Sequence, residues 1–264
     1  MTDPGLRTEL SDGVLRVTID RPSRMNALDD ATCAALIDAF ESAPGDEARV
    51  VILTGAGAAF CAGADVVDLA AAGPSDPVNP PDPVASARHT MDRAASLVRT
   101  VLHCPLPVIA QVNGPAVGIG ASLALACDLV YASEDAYFLL AFTRVGLMPD
   151  GASSLLVPAA IGRARASAMM LLAQPIPADE ACSVGLINEV LAVDRLQSRV
   201  DSAAKMLLRS PRRALELTKQ ALTATTLALL DDALEREAEG QVELLTSPEF
   251  AERVTALTSA QKGA

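Results

Sequence analysis

The segment from Pro107 to Asp128 constrains the fold more than any other part of the chain. Pro107-Val108-Ile109-Ala110-Gln111-Val112 reads as a short buried strand, Asn113-Gly114 is a turn dipeptide, and Gly118 and Gly120 flank Ile119 where an apolar helix begins. Glycines at such a junction let backbone come close to a neighbour. The first amides of a helix have no internal partner and lie at the positive end of its dipole, so they suit an oxygen that develops negative charge. A junction of this kind supplies half of an oxyanion hole.

A second junction lies upstream, where Val50-Val51-Ile52-Leu53-Thr54 runs into Gly55-Ala56-Gly57-Ala58-Ala59-Phe60-Cys61-Ala62-Gly63-Ala64-Asp65. Either junction alone describes many α/β proteins, in which the glycines serve only helix packing. Taken together, with Arg21-Pro22 and Asn26-Ala27-Leu28 before them and Gly146-Leu147-Met148-Pro149-Asp150-Gly151 after, they resemble the enoyl-CoA hydratase/isomerase (crotonase) family. The resemblance runs from about residue 6 to the helical C-terminus, in that family's order. It implies an α/β fold: a crotonase-like ββα spiral core over residues 1–195 and a helical C-terminal region over 196–264 involved in oligomer contacts. It also implies homotrimers that pair into hexamers.

Composition agrees. A chain of 264 residues, 50% of them apolar, can bury one large core. Its formal charge of -12 argues against nucleic acid, which needs a basic face, and scarce aromatics argue against base stacking. The five cysteines are far apart and set among small apolar residues, and there are only two histidines, so a reducing compartment is expected and a metal site is not. The N-terminus lacks signal-peptide regions, and the apolar run from Pro107 to Cys127 is broken by Gln111 and Asn113-Gly114-Pro115. The expectation is a cytoplasmic protein with no membrane partner.

The pattern predicts a hairpin of strands 6–10 and 14–20, a helix capped by Asp29 or Asp30 and ending near Pro44-Gly45, and a strand at 50–54. Residues 71–86 are too rich in proline for regular structure and predict a mobile loop or lid. Then follow helix 87–102, strand 107–112, helix 120–127, and strands 128–132 and 136–139. Helices are expected at 151–160, 163–172 and 178–184, a strand at 188–192, and helices at 194–208, 211–226, 228–245 and 247–259.

The resemblance also implies a chemistry. A coenzyme A thioester is the substrate, with no permanently bound cofactor, and the backbone amides of Ala64 and Ile119 hold the enolate oxygen. Removing one such donor costs roughly 3 to 4 kcal/mol of barrier stabilisation. Ile119 stands where relatives carry glycine, and a β-branched residue resists positive φ. Arg24, Ala27, Ala62, Ala64, Asp65 and Val66 fall at cofactor-binding positions, and Val117, Phe142 and Met148 at the acyl pocket.

The acid/base residues depart from the hydratases. Their two glutamates would fall at Ser122 and Phe142, and neither residue can take a proton unaided at neutral pH. Water addition is therefore disfavoured. Asp150 remains, at an acidic position used by some enoyl-CoA isomerases, and one carboxylate suffices to move a double bond from β,γ to α,β. Leu147 and Met148 beside it would raise its pKa. Asp150 before Gly151-Ala152-Ser153-Ser154 also suits a helix N-cap. The favoured expectation is an enoyl-CoA isomerase with Asp150 as acid and base. Its rivals are a non-catalytic acyl-CoA binder or assembly subunit, a hydratase, and a Clp-type peptidase using Ser122, which lacks any later histidine.

Overall fold

The computed structural model describes residues 5–45, 47–65 and 82–262. Its strands are β1 (Leu6–Ser11), β2 (Val14–Ile19), β3 (Val50–Gly55), β4 (Val108–Val112), β5 (Ala116–Val117), β6 (Leu129–Ser133), β7 (Tyr137–Leu139), β8 (Ile176–Pro177) and β9 (Glu189–Leu191). β1 and β2 pair antiparallel from Leu6 opposite Ile19 to Ser11 opposite Val14, as the hairpin reading requires. From β2 onward the larger sheet is parallel, in the order β1-β2-β3-β4-β6-β9. A smaller sheet orders β5-β7-β8.

Burial on both faces explains why β3 and β4 read as continuous apolar runs. Val51 and Leu53 of β3, Val108, Ala110 and Val112 of β4, and Val130 and Ala132 of β6 face one core; Val50, Ile52, Ile109 and Tyr131 face the other. The first face packs on α1 (Asp30–Ser42) and α2 (Pro83–His103) through Leu36, Phe40, Leu97 and Val101. The second is closed by α6 (Val193–Leu208), with Leu196, Val200, Ala203 and Ala204.

Asp29 caps α1 by accepting from the Thr32 amide at 2.8 Å. The proline-rich reading is corrected at its far end: residues 71–81 lie outside the described residues, but 83–86 are helical, because Asp82 accepts from the Val84 amide at 3.1 Å and Pro83 takes the first helical position. The two helices expected either side of residue 162 are both present and meet at a kink at Gly162, where φ is 74°; together they are labelled α4 (Ser153–Leu171). The two-residue strands β5 and β8 escaped the sequence reading.

The remaining helices are α3 (Ile119–Leu125), α5 (Ala178–Ser183), α7 (Arg212–Thr226), α8 (Leu230–Leu245) and α9 (Pro248–Lys262). α7 is anchored through buried Lys219, whose ammonium meets Asp128 Oδ2 at 2.7 Å and donates to the Leu106 carbonyl at 3.1 Å. α8 packs along α2, against α4 and beside α9, which brings the C-terminal helices back over the core. Among the described residues no helix is long and apolar enough to cross a membrane.

Candidate active site

Two asparagines and an arginine shape the first junction. Asn26, fully buried, donates from Nδ2 to the carbonyls of Ala56 and Ala59 at 2.8 and 2.7 Å, and Asn113 donates to those of Gly57 and Ala59 at 2.9 and 3.1 Å. Arg21 binds the Ala27 carbonyl and reaches Asp29 Oδ2 at 2.8 Å and Asp65 Oδ2 at 3.5 Å. The loop that carries Ala64 is therefore held from both sides by side chains far away in sequence.

The two junctions then meet backbone to backbone. A Cβ at Gly63, where φ is 99°, would lie 2.9 Å from the Val117 carbonyl oxygen, and one at Gly118 would lie 3.9 Å from the Gly63 Cα. Only glycine allows that approach. Gly118, at φ 55°, is the cap of α3 and absorbs the left-handed turn, so Ile119 begins the helix without positive φ and the strain anticipated for it does not arise. Neither the Ala64 nor the Ile119 amide donates to a described residue, and both residues line one cavity of about 540 Å³.

Asp150 lines the same cavity. It is 7% exposed, its Oδ2 accepts from Gln241 Nε2 at 2.8 Å, and its Oδ1 is buried with no hydrogen-bond partner. Burial pushes its pKa up to about 7; the Gln241 hydrogen bond pulls it down and the Glu237 charge pushes it up. The alternative role as helix cap is excluded by geometry. α4 is capped instead from α8, where the two oxygens of Glu237 accept from the Ala152 and Ser154 amides at 2.7 and 2.9 Å. Burial raises the Glu237 pKa, while those amides hold it back.

Ser122 is fully buried and its hydroxyl donates to the Asp150 carbonyl at 2.8 Å. It braces the Asp150 backbone, and no described histidine hydrogen-bonds to it, which removes the arrangement a serine peptidase needs. Cys33 also lines the cavity, but burial pushes its thiol up to about 12, so it is no nucleophile at neutral pH.

Ala62, Asp65, Val117 and Phe142 join Ala64, Ile119 and Asp150 in the cavity wall. Three expected residues are placed elsewhere among the described residues, and one is not described. Arg24 is half exposed, with Nε 4.0 Å from Asp65 Oδ2, and Ala27 is buried beneath Arg21; neither contributes to the wall. Met148 turns away because its sulfur fills the space a side chain at Gly240 would take, and Leu147 supplies the wall in its place. Val66 lies outside the described residues.

Sequence reasoning missed Gln241, Leu245, Phe250 and Val254, which close the cavity from α8 and α9, and Met91 and Leu97 from α2. A signal existed for the first. The buried stripe of α8 runs Leu230, Ala233, Leu234, Glu237, Ala238, Gln241, so two polar residues sit where an amphipathic helix places apolar ones.

Comparison with known proteins agrees with this geometry. The family model Enoyl-CoA hydratase/isomerase matches residues 9–261. The chain is 40% identical over 251 residues to a probable enoyl-CoA hydratase of Rhodobacter capsulatus, covering 95% of this chain and 93% of that one. It is 35% identical over 246 residues to the 1,2-epoxyphenylacetyl-CoA isomerase of Escherichia coli, covering 92% and 91%. A crystal structure of an enoyl-CoA hydratase from Mycobacterium avium subsp. paratuberculosis superposes with a TM-score of 0.86 at 43% identity, covering 97% and 96%. With the family model matched over nearly the whole chain and the fold shared with that hydratase, the chain belongs to the enoyl-CoA hydratase/isomerase (crotonase) family and is an acyl-CoA-binding enzyme of that family.

Proposed function

We propose that this enzyme moves a double bond within an enoyl-CoA, with Asp150 as the single acid/base and the Ala64 and Ile119 amides holding the enolate oxygen. The observation that carries the reading is the Asp150 carboxyl: buried in the cavity wall, one oxygen without a partner, and a pKa near 7. A carboxyl that is half ionised at neutral pH can both take and return a proton. The Cα–H bond breaks toward Oδ1, its electron pair moves into the thioester carbonyl, and the charged oxygen lies against main-chain N–H groups. Collapse of the enolate returns the proton from Asp150 to the γ-carbon, so substrate and product are isomers and nothing else is consumed.

The hydratase alternative needs two carboxylates around a water, and this chain has Ser122 and Phe142 at those places, the first committed to a backbone carbonyl. The relatives carry both names, an isomerase in Escherichia coli and a probable hydratase in Rhodobacter capsulatus, so the reading rests on the residues of the site. Exposed Leu171, Leu172 and Met206 offer apolar surface that suits the trimer or hexamer belonging to the same reading.

Asp150→Asn is expected to bind CoA esters with unchanged affinity and to lose isomerisation of a β,γ-enoyl-CoA by at least about a hundredfold, the scale of a general-base contribution. The same variant should stop deuterium uptake at the α-carbon of a saturated acyl-CoA in heavy water. Wild-type binding without that exchange would establish an inert acyl-CoA binder and defeat the isomerase reading.

A further inference from the structure

Helix α8 presents Glu237 and Gln241 four residues apart, on one face, toward two different targets. Glu237 holds the N-terminus of α4. Gln241, 1% exposed, is fixed at its own oxygen: the Met148 amide donates to Oε1 at 3.2 Å, which fixes the carboxamide's orientation and directs Nε2 to Asp150 Oδ2 at 2.8 Å. The other carboxyl oxygen is buried without a hydrogen-bond partner.

We propose that Gln241 is a positioning residue for the reaction: by occupying Oδ2 it fixes the carboxyl plane and leaves Oδ1 as the oxygen that exchanges protons with the substrate. This rests on Asp150 being the base. One oxygen must then serve both the α- and the γ-carbon, so removal and return take place on one face of the acyl chain. The charged group whose field reaches Asp150 is Glu237 on the same helix, while α3 contributes the neutral Ser122 hydroxyl and the Ile119 side chain. A residue that merely satisfied the Met148 amide would leave the carboxyl's ionisation untouched.

The test titrates the Asp150 carboxyl in the whole folded protein by infrared difference spectroscopy, with Asp150→Asn identifying the band and no substrate present. Gln241→Met removes the donor, and Gln241→Glu keeps an acceptor for the Met148 amide while placing a like charge against Oδ2. The midpoint is expected to rise in the order wild type, Gln241→Met, Gln241→Glu, with the first step about one pH unit. With a β,γ-enoyl-CoA, Gln241→Met should lose about fivefold in kcat at pH 7, recover toward alkaline pH, and keep KM, because a rise of about one pH unit leaves roughly a tenth of the carboxyl ionised instead of half. Equal midpoints in the three proteins, or a raised KM at unchanged kcat, would overturn the proposal. Should Gln241→Met fail to fold, Gln241→Glu against wild type decides it alone. Because the titration needs no turnover, loss of the isomerase reading through an inactive wild type is distinguishable from loss of this contact.

Discussion

Asp150 shows what a buried acid costs a protein and what it supplies. Its carboxyl has an ordinary value of 3.8 and a folded value of about 7, so between those pH values the folded state binds more protons than the unfolded state. Stability contributed by this residue is therefore full below pH 3.8 and lost as pH rises through about 7. Above that window the ionised group burdens the fold by about 4 kcal/mol, from the usual conversion of pKa difference to free energy. Asp150→Asn should thus gain stability relative to wild type on going from pH 4 to pH 8 by roughly that amount, read from urea midpoints at the two ends. A difference that stays constant with pH would show that the carboxyl is not held in a desolvated state. Ile119 teaches a complementary lesson about single residues: a side chain that looks hostile to a left-handed turn is tolerated because its neighbour Gly118 makes the turn.

Among the elements, α4 and α8 are coupled through one side chain. Glu237 supplies α4 with the acceptor that its own N-cap, Ala152, cannot offer, and simultaneously biases Asp150 toward the protonated form. Glu237→Gln leaves one of two buried amides facing an N–H group, so the variant should be destabilised by about 2 kcal/mol. It should also move the acid limb of the rate profile to lower pH, opposite to the Gln241 variants, since the negative charge beside Asp150 is gone. A pH–rate profile of the folded variant checks the sign. This coupling was not legible in the sequence, because Glu237 and Gln241 lie 87 and 91 residues beyond Asp150 in the numbering and only packing brings them together. What was legible is local: the apolar runs of β3 and β4, the Asp29 cap of α1, and the glycines at 63 and 118 that let the two junctions touch. The start of α2 was misread because prolines dominated the composition and hid the Asp82-Pro83 cap.

At the scale of the whole molecule, the cavity is walled by segments from nearly the full length of the chain, from Leu28 to Val254. Its shape therefore depends on how the C-terminal helices are tied to the parallel core. Lys219 is one such tie, clamping α7 to Asp128 at the edge of β6 and to the carbonyl of Leu106 before β4. Lys219→Met would leave the Asp128 carboxylate without its counter-charge, but that carboxylate still reaches solvent, so a loss of about 1 kcal/mol is expected in denaturant melts. The family's fold could be anticipated because its signature is written in neighbouring residues. The Met148 to Leu147 exchange in the wall could not, since the vacancy at Gly240 that draws the Met148 sulfur away belongs to a distant helix.

The abutting glycines at 63 and 118 have one further bearing on how such a protein can change over time. On the mechanism proposed above, the groups that polarise the thioester are peptide N–H bonds, which no side-chain change short of proline deletes while the two loops keep their path. On that mechanism, a descendant that kept both glycine contacts would inherit the electrophile's cradle intact, and relocating one carboxyl group would change the reaction.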